Sequence, residues 1–155
     1  MGGLDARASN ADRRRAAAIS IGLLAVLEAG CSSAASFTPG TAEEPRIVAV
    51  SALDSFAFDP TRIQVRMGET IRFVVTNEGV LEHEFAIGTR DELLEHALTM
   101  THGGMRADTT TEIRLIPGQT KELVFAFGSA TDLAFGCLVA DHFPKGMSGV
   151  FEVVQ

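Results

Sequence analysis

From Arg46 onward, apolar and polar residues alternate in short runs separated by turn residues. Alternation with a period of two is typical of half-buried β-strands, and short strands at regular spacing favour an all-β sandwich. About eight strands are predicted, and no internal repeat is visible. The predicted strands lie in RIVAVSA (46–52), RIQVR (62–66), MGETIRFVVTN (67–77, after its Gly turn), HEFAIG (83–88), TTEIRLI (110–116), TKELVFAF (120–127), DLAFGC (132–137) and SGVFEVV (148–154).

One stretch, TRDELLEHAL (89–98), breaks this rhythm. Thr89 is a candidate N-cap, acidic residues follow in the first turn, and leucines recur at helical spacing. These features predict one short helix inserted between the strands.

The first 44 residues have a different pattern. Arg13–Arg15 precede the apolar segment AAAISIGLLAVL, and the small residues of EAGCSSAAS follow it. This layout is typical of a secretory signal, whose apolar segment is too short to span a membrane as a stable helix. We therefore expect a signal peptide over residues 1–31, a flexible tether over 32–44 and one folded domain over 45–155, periplasmic or at the cell surface.

The end of the signal allows two interpretations. Gly30-Cys31 resembles a lipoprotein attachment site, but Glu28 stands where such a site usually has an aliphatic residue. Either Cys31 is lipidated and anchors the protein to a membrane, or cleavage follows a small residue such as Ala35.

Charge and cysteine content limit which partners the folded domain can bind and what role its cysteine can have. Residues 1–31 hold four of the 13 Lys/Arg and three of the 20 Asp/Glu, which leaves nine basic and seventeen acidic residues and a formal charge of −8. An acidic domain disfavours nucleic acid as a partner. The same removal leaves Cys137 as the sole cysteine, and a lone thiol in an oxidising compartment calls for a role other than a disulfide.

The segment FGCLVADHFPKGMSG (135–149) offers that role, because it holds Cys137, His142 and Met147 in one loop between the last two strands. A fourth candidate, His83, opens a predicted strand after the turn that begins at Asn77. Each residue alone is more often core filler or a surface side chain. Together, two imidazoles, one thiolate and a weak thioether suit copper, whereas zinc more often takes four strong ligands.

This arrangement resembles the cupredoxin family, which includes plastocyanin, azurin and rusticyanin, over roughly residues 45–155. The spacing in the last loop is similar to that of rusticyanin and auracyanin, and NEGVLEHEF is similar to bacterial cupredoxins of copper-handling clusters. The resemblance implies a Greek-key β-sandwich and one type 1 copper per chain. The ligands that it implies are His83, Cys137, His142 and Met147.

The sequence departs from the family pattern at two places. Ala140-Asp141 stands where those bacterial proteins often have Pro-Gly, and Glu84 follows His83 where plastocyanin and azurin usually have Asn. We expect these differences to alter the loop shape and the contacts around the ligands.

A second cluster, MTHGGM (100–105), holds Met100, His102 and Met105. Soft sulfur ligands with a histidine suit transient copper(I), but a Gly-Gly loop with incidental methionines is the simpler interpretation. His96 is expected on an exposed helix face without a role.

Two functions follow from different classes. The first is transfer of single electrons between redox partners, such as a cytochrome or an oxidase, through an apolar patch that includes Phe143 and Pro144. The second is copper binding for resistance or delivery. A lone Cys137 excludes a binuclear centre with two bridging cysteines, and four histidines in all are too few for a separate catalytic copper, so we expect that the protein is not an enzyme.

Overall fold

The structure is a computed structural model that describes residues 37–99, 107–129 and 131–154. In this part of the chain it has nine β-strands and one α-helix. The strands are β1 (Arg46–Leu53), β2 (Ala57–Asp59), β3 (Arg62–Arg66), β4 (Thr70–Asn77), β5 (His83–Thr89), β6 (Glu112–Leu115), β7 (Thr120–Ala126), β8 (Leu133–Gly136) and β9 (Ser148–Val154), and the helix is α1 (Arg90–Thr99).

The strands form two sheets, which confirms the predicted all-β sandwich. One sheet has the order β2-β1-β4-β7, and the other has the order β3-β9-β8-β5-β6. The β1–β4 and β3–β9 pairs are parallel, and the other pairs are antiparallel. All eight predicted strands are present, and the additional strand, β2, has only three residues. Alternation over three residues gives no signal of its own, so the sequence did not predict it.

Between the two sheets lies a core rich in phenylalanine. Strand β4 shows how the pattern builds it: Ile71, Phe73 and Val75 are buried, while the residues between them are half-buried on the outer face. The Phe73 ring lies 5.3 Å from that of Phe85 on the facing sheet, and Phe85 lies 5.3 Å from Phe135. Edge and tilted ring contacts of this kind fill the inter-sheet space and hold the ends of β5 and β8 in place.

The helix covers the outer face of the second sheet. The Glu92 N–H donates to Thr89 Oγ1 at 3.2 Å, and the Thr89 N–H donates to Glu92 Oε2 at 2.8 Å, which is a capping box. Leu93 and Ala97 of α1 are buried, in a second apolar cluster that includes Ala86 and Leu138. Strand β5 is therefore buried on both faces, and this explains its run of five consecutive buried residues.

Part of the segment before the first strand contacts the domain. The Thr70 N–H donates to the carbonyl of Gly40 at 2.9 Å, and the Arg46 guanidinium lies 4.2 Å from the centre of the Phe37 ring. The domain bounds of 1–31, 32–44 and 45–155 stay predictions, with these contacts falling within the predicted tether.

In the described ranges, no helix is both long and apolar enough to cross a membrane. The predicted signal segment, Cys31 and the MTHGGM cluster lie outside the described residues.

Candidate metal centre

The structure brings three of the four predicted ligands together. One donor atom each from His83, Cys137 and His142 lies within 4.8 Å of the other two, and all three residues are buried. Cys137 Sγ is 3.3 Å from His142 Nδ1 and 4.0 Å from His83 Nδ1. Among the described residues this is the one group of His, Cys, Asp or Glu side chains arranged to hold a metal.

The loop from Cys137 to Met147 is closed by its own backbone. The Cys137 N–H donates to the carbonyl of Met147 at 3.0 Å, and the Met147 N–H donates to the carbonyl of His142 at 3.0 Å. Cys137 directly follows β8, and Met147 directly precedes β9. Because these strands pair in register, the two ends of the loop are held side by side.

Met147 is fully buried and belongs to the core between the sheets. Its backbone bonds to both Cys137 and His142, so the residue belongs to the same closed loop as the two other donors. A thioether at this position suits the weak fourth ligand of a trigonal copper site.

His83 is fully buried at the first position of β5. The turn before it is fixed by Asn77, whose amide nitrogen donates to the carbonyls of Leu81 at 2.7 Å and Leu115 at 3.1 Å. The Asn77 side-chain oxygen accepts from the Gly79 N–H at 2.9 Å. The buried amide is thus fully used in shaping the turn that delivers His83 to the site.

Electrostatics favour neutral side chains in the metal-free site. Burial raises the pKa of the Cys137 thiol to about 12, against an ordinary value of 9.0. Burial, together with the nearby His83, lowers the pKa of His142. Both shifts have the same origin, because a low-dielectric site disfavours the charged form of any group. A bound cation would offset this and stabilise the thiolate.

His142 packs against an aromatic side chain from another loop. The Phe56 ring lies 4.8 Å from the His142 ring, and the Lys145 ammonium lies 4.6 Å from the centre of the Phe56 ring. Phe56 has a φ of 57°, an uncommon conformation for a bulky residue. The loop between β1 and β2 therefore covers one side of this histidine.

The predicted role of Phe143 in a surface patch is wrong. Its side chain is buried in the cluster beneath α1, against the bare Cα of Gly136, where a Cβ would lie 2.5 Å from the ring. The neighbouring Pro144 is exposed. Phe143 turns inward because Gly136 has no side chain, and the phenylalanine ring fills the space that this leaves.

Ala140 marks the departure from the Pro-Gly pattern. Its φ is 47°, in the left-handed region that a glycine adopts without strain. The His142 N–H donates to the carbonyl of Val139 at 3.1 Å, so the turn around Ala140 is closed despite the substitution.

Two residues near the site were not predicted. Asp54 Oδ1 lies 3.2 Å from His83 Nε2, and Phe56 contacts His142. The pKa of Asp54 is lowered, mainly by the hydrogen bond from the Val80 N–H. The hydrogen bond from the Leu81 N–H and the nearby His83 lower it further. Both residues lie in the β1–β2 loop, far along the chain from the ligands. No local sequence pattern predicts contacts between residues so far apart.

The donor set fits a soft or borderline metal. Two imidazole nitrogens and one cysteine sulfur converge in a buried space, and this combination suits copper better than the hard cations that prefer oxygen. The donors come from two parts of the chain, the start of β5 and the loop between β8 and β9.

Two curated relatives of this chain are both named copper-resistant cuproprotein CopI. The copper-resistant cuproprotein CopI of Rubrivivax gelatinosus is 41% identical, over 72% of this chain and 68% of that protein. This chain belongs to the CopI family. The CopI protein of Pseudomonas aeruginosa is 33% identical, over 65% of this chain and 72% of its own length. The chain matches no protein-family model.

Solved structures support the fold of this CopI family member. Auracyanin A, a blue copper protein from Chloroflexus aurantiacus, superposes with a TM-score of 0.60 at 23% identity and covers 71% of this chain and 99% of its own. The auracyanin of Roseiflexus castenholzii gives a TM-score of 0.59 at 21% identity, over 70% of this chain and 97% of its own. The predicted cupredoxin fold is thereby confirmed.

Proposed function

We propose that this CopI family member holds one copper per chain in a type 1 site and exchanges single electrons with a redox partner as part of copper resistance. The ligands in this proposal are His83, Cys137, His142 and Met147. The observation that carries it is the convergence of three buried donor atoms within 4.8 Å in a site closed by the protein backbone.

The buried, bonded loop favours electron transfer over release of the metal. Met147, Cys137 and His142 are tied together by two backbone hydrogen bonds, and Asn77 fixes the turn before His83. A site whose donors are held by the fold changes little in shape when its charge changes. Copper bound in this site would supply a one-electron redox couple, copper(II)/copper(I).

A surface near the site is suited to a transient partner. Val80 is 80% exposed and Leu81 is 41% exposed, and the N–H groups of both bond to Asp54. Phe56, two residues beyond Asp54, contacts His142. We call these three apolar side chains, on the two loops that Asp54 joins, the loop patch; Phe56 of the patch contacts His142, the more exposed of the two candidate histidine ligands. An apolar patch of modest size suits brief docking of a cytochrome or an oxidase.

Copper storage or delivery for resistance is the second candidate. The names of the relatives, copper-resistant cuproproteins, favour it as much as they favour electron transfer. In that case a further copper(I) site in Met100, His102 and Met105 would contribute. Under either function we propose a protein that is exported, that is not an enzyme by itself, that does not bind nucleic acid, and that is anchored to a membrane if Cys31 is lipidated.

Reduction by two kinds of donor tests the first candidate. Copper(II)-loaded protein is mixed with a small one-electron reductant and, separately, with a reduced cytochrome. Val80→Asp should slow reduction by the cytochrome but leave reduction by the small molecule unchanged, because only docking is disturbed. Ile47→Asp is the matched control, since Ile47 is 68% exposed on β1, outside the loop patch. Equal slowing by both variants would contradict the docking surface.

Copper(I) stoichiometry separates the two candidates. We expect one copper(I) per chain in competition with a chelator, in the wild type and in the variant with Ala at positions 100, 102 and 105. A second copper(I) that this variant loses would favour copper handling. In a deletion strain, Cys137→Ser should fail to restore copper tolerance under either function, and full restoration would reject a role for this site in resistance.

A further inference from the structure

We propose that Asp54 is a positioning residue for the metal centre, whose carboxylate fixes the His83 imidazole with Nδ1 directed at Cys137. The inference rests on the proposed function only in taking His83 as a metal ligand. The contacts that carry it are all between residues of the protein itself.

The Asp54 carboxylate joins His83 to the turn that precedes it. Oδ1 lies 3.2 Å from His83 Nε2 and accepts from the Leu81 N–H at 3.2 Å. Oδ2 accepts from the Val80 N–H at 2.8 Å. One side chain from the β1–β2 loop thus binds both the backbone of the turn and the ring that follows it.

This contact fixes the tautomer of the imidazole. An ionised carboxylate can only accept hydrogen bonds, so the proton of a neutral His83 ring lies on Nε2. The lone pair is then on Nδ1, which is the nitrogen that faces Cys137 Sγ. Because His83 is fully buried, its ring nitrogens depend on protein groups for hydrogen bonds. A histidine that ligates a metal through one nitrogen commonly has its other N–H held in this way.

Gly79 gives Asp54 the space that it occupies. A Cβ added to Gly79 would lie 1.9 Å from Asp54 Oδ1 and 2.4 Å from Cγ. The carboxylate therefore rests against a bare Cα, and any side chain at position 79 would displace it. The missing side chain at Gly79 is independent evidence that the turn before His83 and the β1–β2 loop pack closely around the carboxylate.

Asp54 could instead act only as a cap for the turn. Its removal would then lower stability without changing the ring of His83. The ¹⁵N chemical shifts of the imidazole nitrogens, measured in the metal-free protein in mildly alkaline buffer, distinguish the two roles. His142, whose ring does not bond Asp54 in the structure, serves as an internal reference.

Three variants and one control complete the test. In Asp54→Ala, His83 should change from mostly the Nε2–H tautomer to a mixture, and Gly79→Ala should do the same to a smaller extent. Asp54→Asn keeps an acceptor oxygen, so the tautomer should be retained. Glu78→Gln is the control, because it removes one charge from the same turn, where Glu78 bonds Ser51 and not a candidate ligand.

A second readout uses the copper-loaded protein. Asp54→Asn removes a negative charge beside a ligand, so the ratio of copper(I) to copper(II) affinity should rise about tenfold, and Glu78→Gln should change it by less than about twofold. Equal ratios in these two variants would overturn the proposal, as would an unchanged His83 tautomer in Asp54→Ala. If Asp54→Ala does not fold, an unchanged tautomer in Gly79→Ala would overturn it instead. If the wild type binds no copper, the proposed function fails, whereas the tautomer measurement, made without metal, still decides the role of Asp54.

Discussion

The backbone N–H of Glu84 donates a hydrogen bond to Cys137 Sγ at 3.3 Å, although the two residues are 53 positions apart. The contact joins the start of β5 to the end of β8, where the two strands bring His83 and Cys137 together. An N–H directed at sulfur stabilises a thiolate more than a thiol. In the metal-free protein burial outweighs this effect, and the pKa of Cys137 is raised.

The raised pKa predicts an inert thiol in the metal-free protein. With a pKa of about 12 in the folded state and 9.0 as the ordinary value, the folded thiolate fraction at neutral pH is about a thousandfold lower. Alkylation of folded protein should therefore be at least about a hundredfold slower than that of denatured protein. Its rate should still rise with pH after that of the denatured chain levels off near 9.0. Measurement in a Cys31→Ser background restricts alkylation to Cys137. Equal alkylation rates in the folded and denatured protein would contradict the burial of Cys137.

Met147→Leu tests the fourth ligand. Leucine has a similar volume, so the free energy of unfolding should fall by less than about 1.5 kcal/mol and the copper should be retained. Loss of a weak donor destabilises copper(II) more than copper(I), so the reduction potential should rise by about 60 mV for each tenfold change in their affinity ratio. Met67→Leu, at a methionine that is 63% exposed, is the matched control. A potential equal to that of the control would exclude Met147 as a ligand.

Gly136→Ala tests the packing that supports the ligand loop. The new Cβ would lie 2.5 Å from the Phe143 ring, which must move, and Phe143 adjoins His142. Overpacking of this kind costs about 1–3 kcal/mol, and copper binding should weaken with it. Gly128→Ala is the control, because a Cβ there meets nothing within 4 Å. Chemical denaturation measures the loss of stability, and chelator competition measures the copper affinity. Equal values in the two variants would contradict the close contact of Gly136 with Phe143.

The local pattern of the chain predicted most of the fold. Alternation in β4 and the N-cap at Thr89 are signals within a few residues, and both appear in the structure. The spacing of Cys137, His142 and Met147 likewise predicted one loop. Asp54 could not be predicted, because it meets His83 from 29 positions away through a contact that only the packed loops create. Phe143 was misassigned because its direction depends on the space at Gly136.

The absorption spectrum of the protein after addition of copper(II) shows whether Cys137 is a copper ligand. If Cys137 binds copper beside His83 and His142, the wild type should show an intense visible band from charge transfer by the thiolate sulfur, and Cys137→Ser should lack it. Met67→Leu, which alters an exposed sulfur, should keep the band. An equally intense band in Cys137→Ser, or none in the folded wild type with bound copper, would contradict the type 1 site.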